Sequence, residues 1–325
     1  MPISRRKMLS AAPGVLALLA MPAVRAQAPI KVRYAALSTG FSVIVDEFMS
    51  AKRFDLKHGV DMTSINSYVS VASYLNDFAA GTFDLAIAGW DSAAELHHRG
   101  VPIQFVSTLV TADMINMLAT DGGAANLADL KGKSIAAVMA SGTYQVAKVL
   151  IRATEKLELE KDITVQNVPS PAQVITMLMA RNAPAGLAWE PNVSIGLARD
   201  KALKPIFNFG EAYRRTTNED LPYFGIAAQR SMLKSAPDLP RRISAAFKDC
   251  VYAIRANPSE AIELAAKKLK VEPAILRTAF ESKRLRFIGG RMEDRADRKL
   301  VENAAAFFLK NGAAWAKLDE GFFIS

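Results

Sequence analysis

The chain has 325 residues, half of them hydrophobic, enough for about two domains with well-buried cores. Mean hydropathy is only +0.10, and no apolar run beyond the N-terminus reaches membrane-spanning length, so the composition argues against an integral membrane protein. The single cysteine, Cys250, rules out an intrachain disulfide.

The first element is a predicted export signal over residues 1–26. Ser4-Arg5-Arg6-Lys7-Met8-Leu9 is basic, Ala11 to Ala23 is a short apolar region, and Val24-Arg25-Ala26 places small residues at −3 and −1 of a cut. The paired arginines resemble a twin-arginine signal, with Met8 and Ser10 departing from the usual pattern. No cysteine lies near the cut, so no lipid anchor is expected, and a freely soluble periplasmic protein follows. Cleavage removes Arg5, Arg6, Lys7 and Arg25 and no acid, so the net charge falls from +9 to +5. That surplus is too thin over this length to point to nucleic acid.

Lys31 to Ala36 alternates as a strand does, Leu37 to Gly40 is a loop, and Phe41, Ile44, Val45 and Phe48 mark a helix face. Val60 to Ile65 predicts a second strand, and Val71, Tyr74, Leu75 and Phe78 a second helix, ended by Gly81. Phe83 to Ala88 is an apolar strand apart from Asp84. Gly89-Trp90-Asp91-Ser92 is its exit loop, and Val101 to Val110 is another strand. Alternating strands and helices imply a parallel sheet covered on both faces.

Met114 to Thr120 is a strand followed by the break Asp121-Gly122-Gly123, after which a second set begins. Ser134 to Met139 leads through Ala140-Ser141-Gly142-Thr143 into a helix whose buried face carries Val146, Val149, Leu150 and Ala153. Ser141 or Thr143 can cap that helix, and its start is either an anion site or an ordinary capped crossover. Ile163 to Val168 is a strand, Ser170-Pro171-Ala172-Gln173 a helix start, Gly186 to Trp189 a strand, and Pro205 to Phe209 the way out. Tyr223 to Ala228 reads as a returning strand, and the remainder as helical. Asn257-Pro258-Ser259-Glu260 predicts a capping box. Leu300, Ala304, Phe307 and Phe308 are expected to face a core, as are Ile243, Ala246, Phe247, Cys250 and Ile254. The alternating charges from Arg291 to Lys299, and His97-His98, read as solvated faces.

KVRYAALSTGF, AAGTFDLAIAGWDSAAELHHRGVPIQFVS, LADLKGKSIAAVMASGTYQVAKVLI, GLAWEPNVSIGLA and ANPSEAIELAAKKL follow one another in order over nearly all of residues 30–280. Together they resemble the substrate-binding proteins of ABC importers, in the nitrate/sulfonate/taurine group that also contains thiamine-precursor binders. Asn182 to Gly186 departs from that group, which usually carries an acid there. The resemblance implies an α/β, two-lobed, type II periplasmic-binding fold with a hinge and an interlobe ligand cleft. Lobe 1 would hold residues 29–112 and 214–325, and lobe 2 residues 113–213. It also implies a monomer that takes a small solute without a cofactor, catalytic residue or metal, and delivers it to a permease and its ATPase in the inner membrane.

Relatives place ligand contacts in the loops after the strands. Carried over, these are Ser38, Thr39 and Gly40; Gly89, Trp90 and Asp91; Asp113; Ser141, Gly142, Thr143 and Tyr144; Trp189 and Glu190; and Tyr223. None is Arg, Lys or His. An anionic group would then be held by backbone N–H groups and hydroxyls at the helix start after Ser141. Asp91, Asp113 and Glu190 can accept from an ammonium or ring N–H, while Trp90, Tyr144, Trp189 and Tyr223 can wall a chain or ring. That set suits a sulfonate, taurine-like or nitrate-like solute, or alternatively a nitrogen heterocycle such as a thiamine pyrimidine precursor. A sensor partner, or an enzyme like the pyrimidine synthases that share the scaffold, fits less well: none of the three histidines, His58, His97 and His98, lies in these loops.

Overall fold

The computed structural model describes residues 28–62, 65–234 and 236–324. The export-signal reading of residues 1–26 lies outside the described residues.

Two sheets divide the chain. The larger runs Ile65–Tyr68, Tyr34–Leu37, Leu85–Gly89, Phe224–Gln229, Ile103–Val110 and Phe287–Arg291 in spatial order. The smaller runs Thr164–Asn167, Ser134–Ala137, Ala185–Trp189, Ile115–Ala119 and Lys204–Asn208. Both follow one plan: second, first and third strands of the set, then a strand arriving from the other set, then the fourth. The four strands of each set run in one direction, and the strand arriving from the other set runs against them. Phe224–Gln229 pairs antiparallel with Leu85–Gly89 and Ile103–Val110, and Ile115–Ala119 pairs antiparallel with Ala185–Trp189 and Lys204–Asn208. The expectation of a purely parallel sheet is therefore corrected. A strand that enters from the opposite lobe arrives from the hinge end and must run against its neighbours.

Several boundaries move for local reasons. The first predicted strand splits into Ile30–Lys31 and Tyr34–Leu37. Ile30–Lys31 pairs with Val60–Asp61 in a separate ladder, so the strand that joins the sheet is Ile65–Tyr68 rather than Val60 to Ile65. Asp84, the lone acid before the buried strand Leu85–Gly89, is matched by Arg33, whose Nη2 lies 2.6 Å from its Oδ1. Phe287–Arg291 is a strand where only helix was expected. Its signal was short: two apolar residues closed off by Gly289 and Gly290.

Helix Leu239–Ala256 buries Ile243, Ala246, Phe247, Cys250 and Ile254 as expected, and burial pushes the Cys250 thiol far up. Helix Arg295–Lys310 buries Val301, Ala304, Ala305 and Phe308, whereas Leu300 is exposed, a correction of one position on the helix wheel. The capping box at Asn257 is also corrected: the Ser259 N–H is held by Asn257 Oδ1 at 3.1 Å, without a reciprocal bond from Glu260 among those resolved. The charges from Arg291 to Lys299 are not a free face. Glu293 accepts from Ser244 at 2.7 Å, and Arg298 donates to Met292 O at 2.8 Å and to Ile324 O, which pins the C-terminal segment. His97 bonds Asp319 at 3.1 Å and packs edge-on against Phe322, so only His98 is exposed. Among the described residues, no helix is long and apolar enough to cross a membrane.

Candidate functional site

The two sheets present their strand ends to each other, and two helix starts meet there. Strand Leu85–Gly89 passes directly into helix Trp90–His98, whose N-cap is Gly89. Opposite, Ser141 caps helix Gly142–Glu155: its Oγ accepts the Tyr144 N–H at 3.2 Å and donates to Val138 O at 2.6 Å. Of the two caps the sequence allowed, Ser141 is the one used. The Gly142 N–H donates to Ser92 Oγ at 3.1 Å, a direct bond between the lobes.

Two helix starts face each other here, and Asp91 places its carboxyl between them. Its side chain is buried, and neither carboxyl oxygen meets a donor at hydrogen-bond geometry. Burial pushes its pKa up to about 7, although the Ser92 amide and the Tyr223 hydroxyl pull the other way. The Tyr223 hydroxyl donates to Thr143 Oγ1 at 3.4 Å across the cleft.

Beside this meeting point lies a cavity of about 20 Å³, room for roughly one water. Of the predicted contacts, Gly89, Ser141, Gly142, Thr143 and Trp189 line it. The rest of the lining is apolar, from Leu37, Val71, Tyr74, Leu75, Ile87 and Phe224, with the Ser92 hydroxyl among the few polar groups. No basic side chain lines it among the described residues. A wall of apolar side chains thus faces hydroxyls and a helix N-terminus. A larger concavity, about 610 Å³, lies elsewhere, at the outer end of the smaller sheet beside Asp121, Lys133 and Lys204. It is an open rim, away from the meeting of the two helix starts.

The lobes close through further bonds. Asn192 Nδ2 donates to Thr39 O at 2.6 Å and the Val71 N–H to Pro169 O at 3.2 Å. Arg284 Nε lies 2.7 Å from Glu190 Oε1, and its Nη2 donates to Ser194 Oγ at 3.2 Å.

Four predicted contacts are committed elsewhere. Trp90 is fully buried against Phe308 and Trp315 with its N–H on Pro222 O at 3.1 Å, so it packs under the cleft rather than walling it. The Tyr144 hydroxyl donates to Glu160 Oε1 at 2.6 Å, away from the cavity. Asp113 pairs with Arg214 at 2.6 Å and Arg286 at 3.0 Å, and both arginines also pair with Asp220. This ring sits where the chain crosses between the sheets, through Ala112–Met114 one way and Phe209–Thr217 the other. Arg286, then Arg214, hold the Asp220 carboxyl below its ordinary range. Glu190 is buried and paired with Arg284, yet burial outweighs the arginine and its pKa is raised. Asp113 and Glu190 are thus neutralised by arginines from distant sequence, and the expectation that they receive an ammonium is corrected.

Ser38, Thr39 and Gly40 flank the cavity without lining it. Ser38 Oγ donates to Tyr68 O at 3.1 Å, and Thr39 contributes the carbonyl bonded by Asn192. Sequence reasoning missed Ser92, whose only signal was its place beside Asp91. It also missed Leu37, read as a loop residue, and Val71, Tyr74 and Phe224, read as helix face and strand. Arg284 and Arg286 carried no local signal at all.

Residues 54–261 match the model of the family described as NMT1/THI5 like. No curated protein matches the sequence. Among solved structures, the alkanesulfonate-binding protein SsuA from Xanthomonas axonopodis pv. citri, bound to MOPS, is similar at 17% identity and TM-score 0.72, covering 92% of this chain and 98% of that one. The periplasmic aliphatic sulphonate binding protein SsuA from Escherichia coli gives 17% identity and TM-score 0.70, covering 92% and 93%. A putative periplasmic sulfonate-binding protein SsuA from Methylobacillus flagellatus KT gives 19% and 0.65, covering 91% and 92%. These likenesses establish the two-lobed periplasmic-binding fold, and the family match spans well over half of the sequence: the chain belongs to the NMT1/THI5-like family.

Proposed function

We propose that the chain is the periplasmic solute-binding component of an ABC importer, taking a small sulfonate, taurine-like or nitrate-like solute between lobes formed by residues 29–112 with 214–325 and by residues 113–213, and passing it to a permease. The observation that carries this reading is the cavity wall. Leu37, Val71, Leu75 and Trp189 face the hydroxyls of Ser92 and Thr143 and the backbone at the N-terminus of helix Gly142–Glu155, with no basic side chain in the lining. A sulfonate has diffuse charge and three acceptor oxygens, which suits N–H groups and hydroxyls, and an alkyl tail suits the wall. The wall favours an organic sulfonate over nitrate. The names of the similar solved structures point the same way. The reading is one of binding rather than catalysis: the Ser141 hydroxyl is committed to its cap and to Val138 O.

A second reading, a nitrogen heterocycle, is favoured by Asp91, a buried carboxyl that could accept a ring N–H beside Trp189 and Phe224. A thermal-shift screen of the chain lacking residues 1–26 separates the two, with alkanesulfonates, taurine, nitrate and aminopyrimidines as the panel. A ligand at a hundred times its Kd adds about 2.7 kcal/mol, a readable shift. Shifts by sulfonates support the first reading and shifts by aminopyrimidines alone the second. A response only to polyanions or strongly basic compounds would overturn both.

A further inference from the structure

Asp91 has a feature that a general cleft acid lacks: a slot made by two glycines, one on each lobe. A Cβ at Gly89 would lie 2.2 Å from Asp91 Oδ1, and a Cβ at Gly142 would lie 1.9 Å from Oδ2 and 2.6 Å from Cγ. No side chain larger than hydrogen leaves room for the carboxyl in this closed arrangement. The group thus sits against the first residue of helix Gly142–Glu155, the position assigned above to the negative end of the solute.

Few other charges face it. Glu95 is on its own helix and the Tyr223 hydroxyl is beside it. From helix Gly142–Glu155, Lys148 and Tyr144 are turned to Glu160 and Arg152 to Asn311 O. On its own helix, His97 is held by Asp319. The strands Leu85–Gly89, Ile103–Val110 and Phe224–Gln229 and the turn Ala314–Ala316 bring no charged residue. With no cation to pair it, and only nearby amides and the Tyr223 hydroxyl, none at full bonding geometry, to favour its charge, burial leaves the carboxyl best accommodated there in its neutral form.

We propose that the Asp91 carboxyl is a tethered occupant of the solute's anion position, protonated while the lobes are shut on it, and that it selects solutes that bring a positive charge to replace that proton. A solute with an ammonium group beside its sulfonate meets Asp91 as a carboxylate. A plain sulfonate must share the cleft with Asp91 in its protonated form. The solute half of this proposal rests on the sulfonate reading above; the closure half does not.

The signs follow from linkage. The shut form holds a proton up to about pH 7, while an opened, hydrated aspartate releases it near pH 4. Between those values, the ratio of shut to open molecules falls about tenfold for each pH unit, and it levels off above that range. Over the same range the affinity ratio of taurine to ethanesulfonate rises about tenfold per unit, and taurine binding releases a proton.

The test uses the chain lacking residues 1–26, as wild type and as Asp91→Asn, with Asp91→Ser in reserve should the amide fail to fold. Small-angle scattering without added solute is expected to show wild type opening from pH 5 to pH 8 and Asp91→Asn unchanged. Calorimetry is expected to show the taurine-to-ethanesulfonate ratio rising with pH in wild type and flat in Asp91→Asn. Parallel pH profiles in wild type and variant, in either measurement, overturn the proposal. If neither solute binds wild type at any pH, the sulfonate reading falls, and scattering still decides whether Asp91 governs closure.

Discussion

Asp91 and Gly142 meet across the cleft so closely that a Cβ at Gly142 would stand 1.9 Å from Asp91 Oδ2 and 2.2 Å from Ser92 Oγ. Gly142 has an ordinary helical position, so the glycine is required by proximity and not by its backbone. Gly142→Ala is therefore expected to hold the lobes apart. Because the strain arises only on closure, solute affinity should drop tenfold or more while the unfolding midpoint moves little. Calorimetry beside thermal unfolding checks this, and unchanged affinity would place the closing contact elsewhere.

The bond between Arg284 and Glu190 makes a second interlobe prediction. Glu190 is fully buried and accepts from both the Ser194 N–H and its hydroxyl at 3.0 Å. Arg284→Ala leaves that carboxylate with only neutral donors, and breaking one side of a buried pair costs about 3–5 kcal/mol. Urea unfolding should show a loss in that range, with a smaller loss for Glu190→Gln. A loss below about 1 kcal/mol would mean that the pair is screened as a surface pair is.

Asp46 predicts how stability depends on pH. It is buried within lobe 1 with Tyr34 donating to it, and burial above all raises its pKa from 3.8 to about 8. The folded chain therefore keeps a proton that the unfolded chain has released, so stability falls as pH rises from about 4 to about 8. Asp46→Asn should flatten part of that fall in thermal midpoints taken across this range. A variant whose midpoints keep the wild-type slope would contradict the assignment.

The apolar wall predicts a chain-length effect. Each methylene buried adds about 0.8 kcal/mol, or about fourfold in affinity. Affinity should climb from methanesulfonate to butanesulfonate in wild type and climb less in Trp189→Ala. A flat series would mean that the tail stays in water.

The layout was legible because periodicity reports burial. The strand–helix alternation, the Ser170 cap with Pro171, and the stripe from Ile243 to Ile254 were all visible. So was the loop Ser141-Gly142-Thr143, since strand, small residues and helix face adjoin in sequence. What was hidden depends on partners far along the chain. Nothing near Glu190 announces Arg284, and nothing near Asp113 announces Arg214 or Arg286. Trp90 looked like a cleft wall because a strand end is where ligands sit, but its ring turns to Phe308 and Trp315 from the C-terminal segment. Val71, Tyr74 and Phe224 show the converse. Apolar residues that line a closed cleft carry the same pattern as apolar residues that fill a core.

The central claim is that the negative end of a sulfonate rests on the helix start at Gly142. A crystal structure of the chain lacking residues 1–26, grown with ethanesulfonate, tests it most directly. The account predicts sulfonate oxygens within about 3 Å of the amides or hydroxyls of Ser141 to Thr143, with the ethyl group against Leu37, Val71 and Trp189. Ethanesulfonate bound anywhere else, or held chiefly by arginine or lysine side chains, would contradict it.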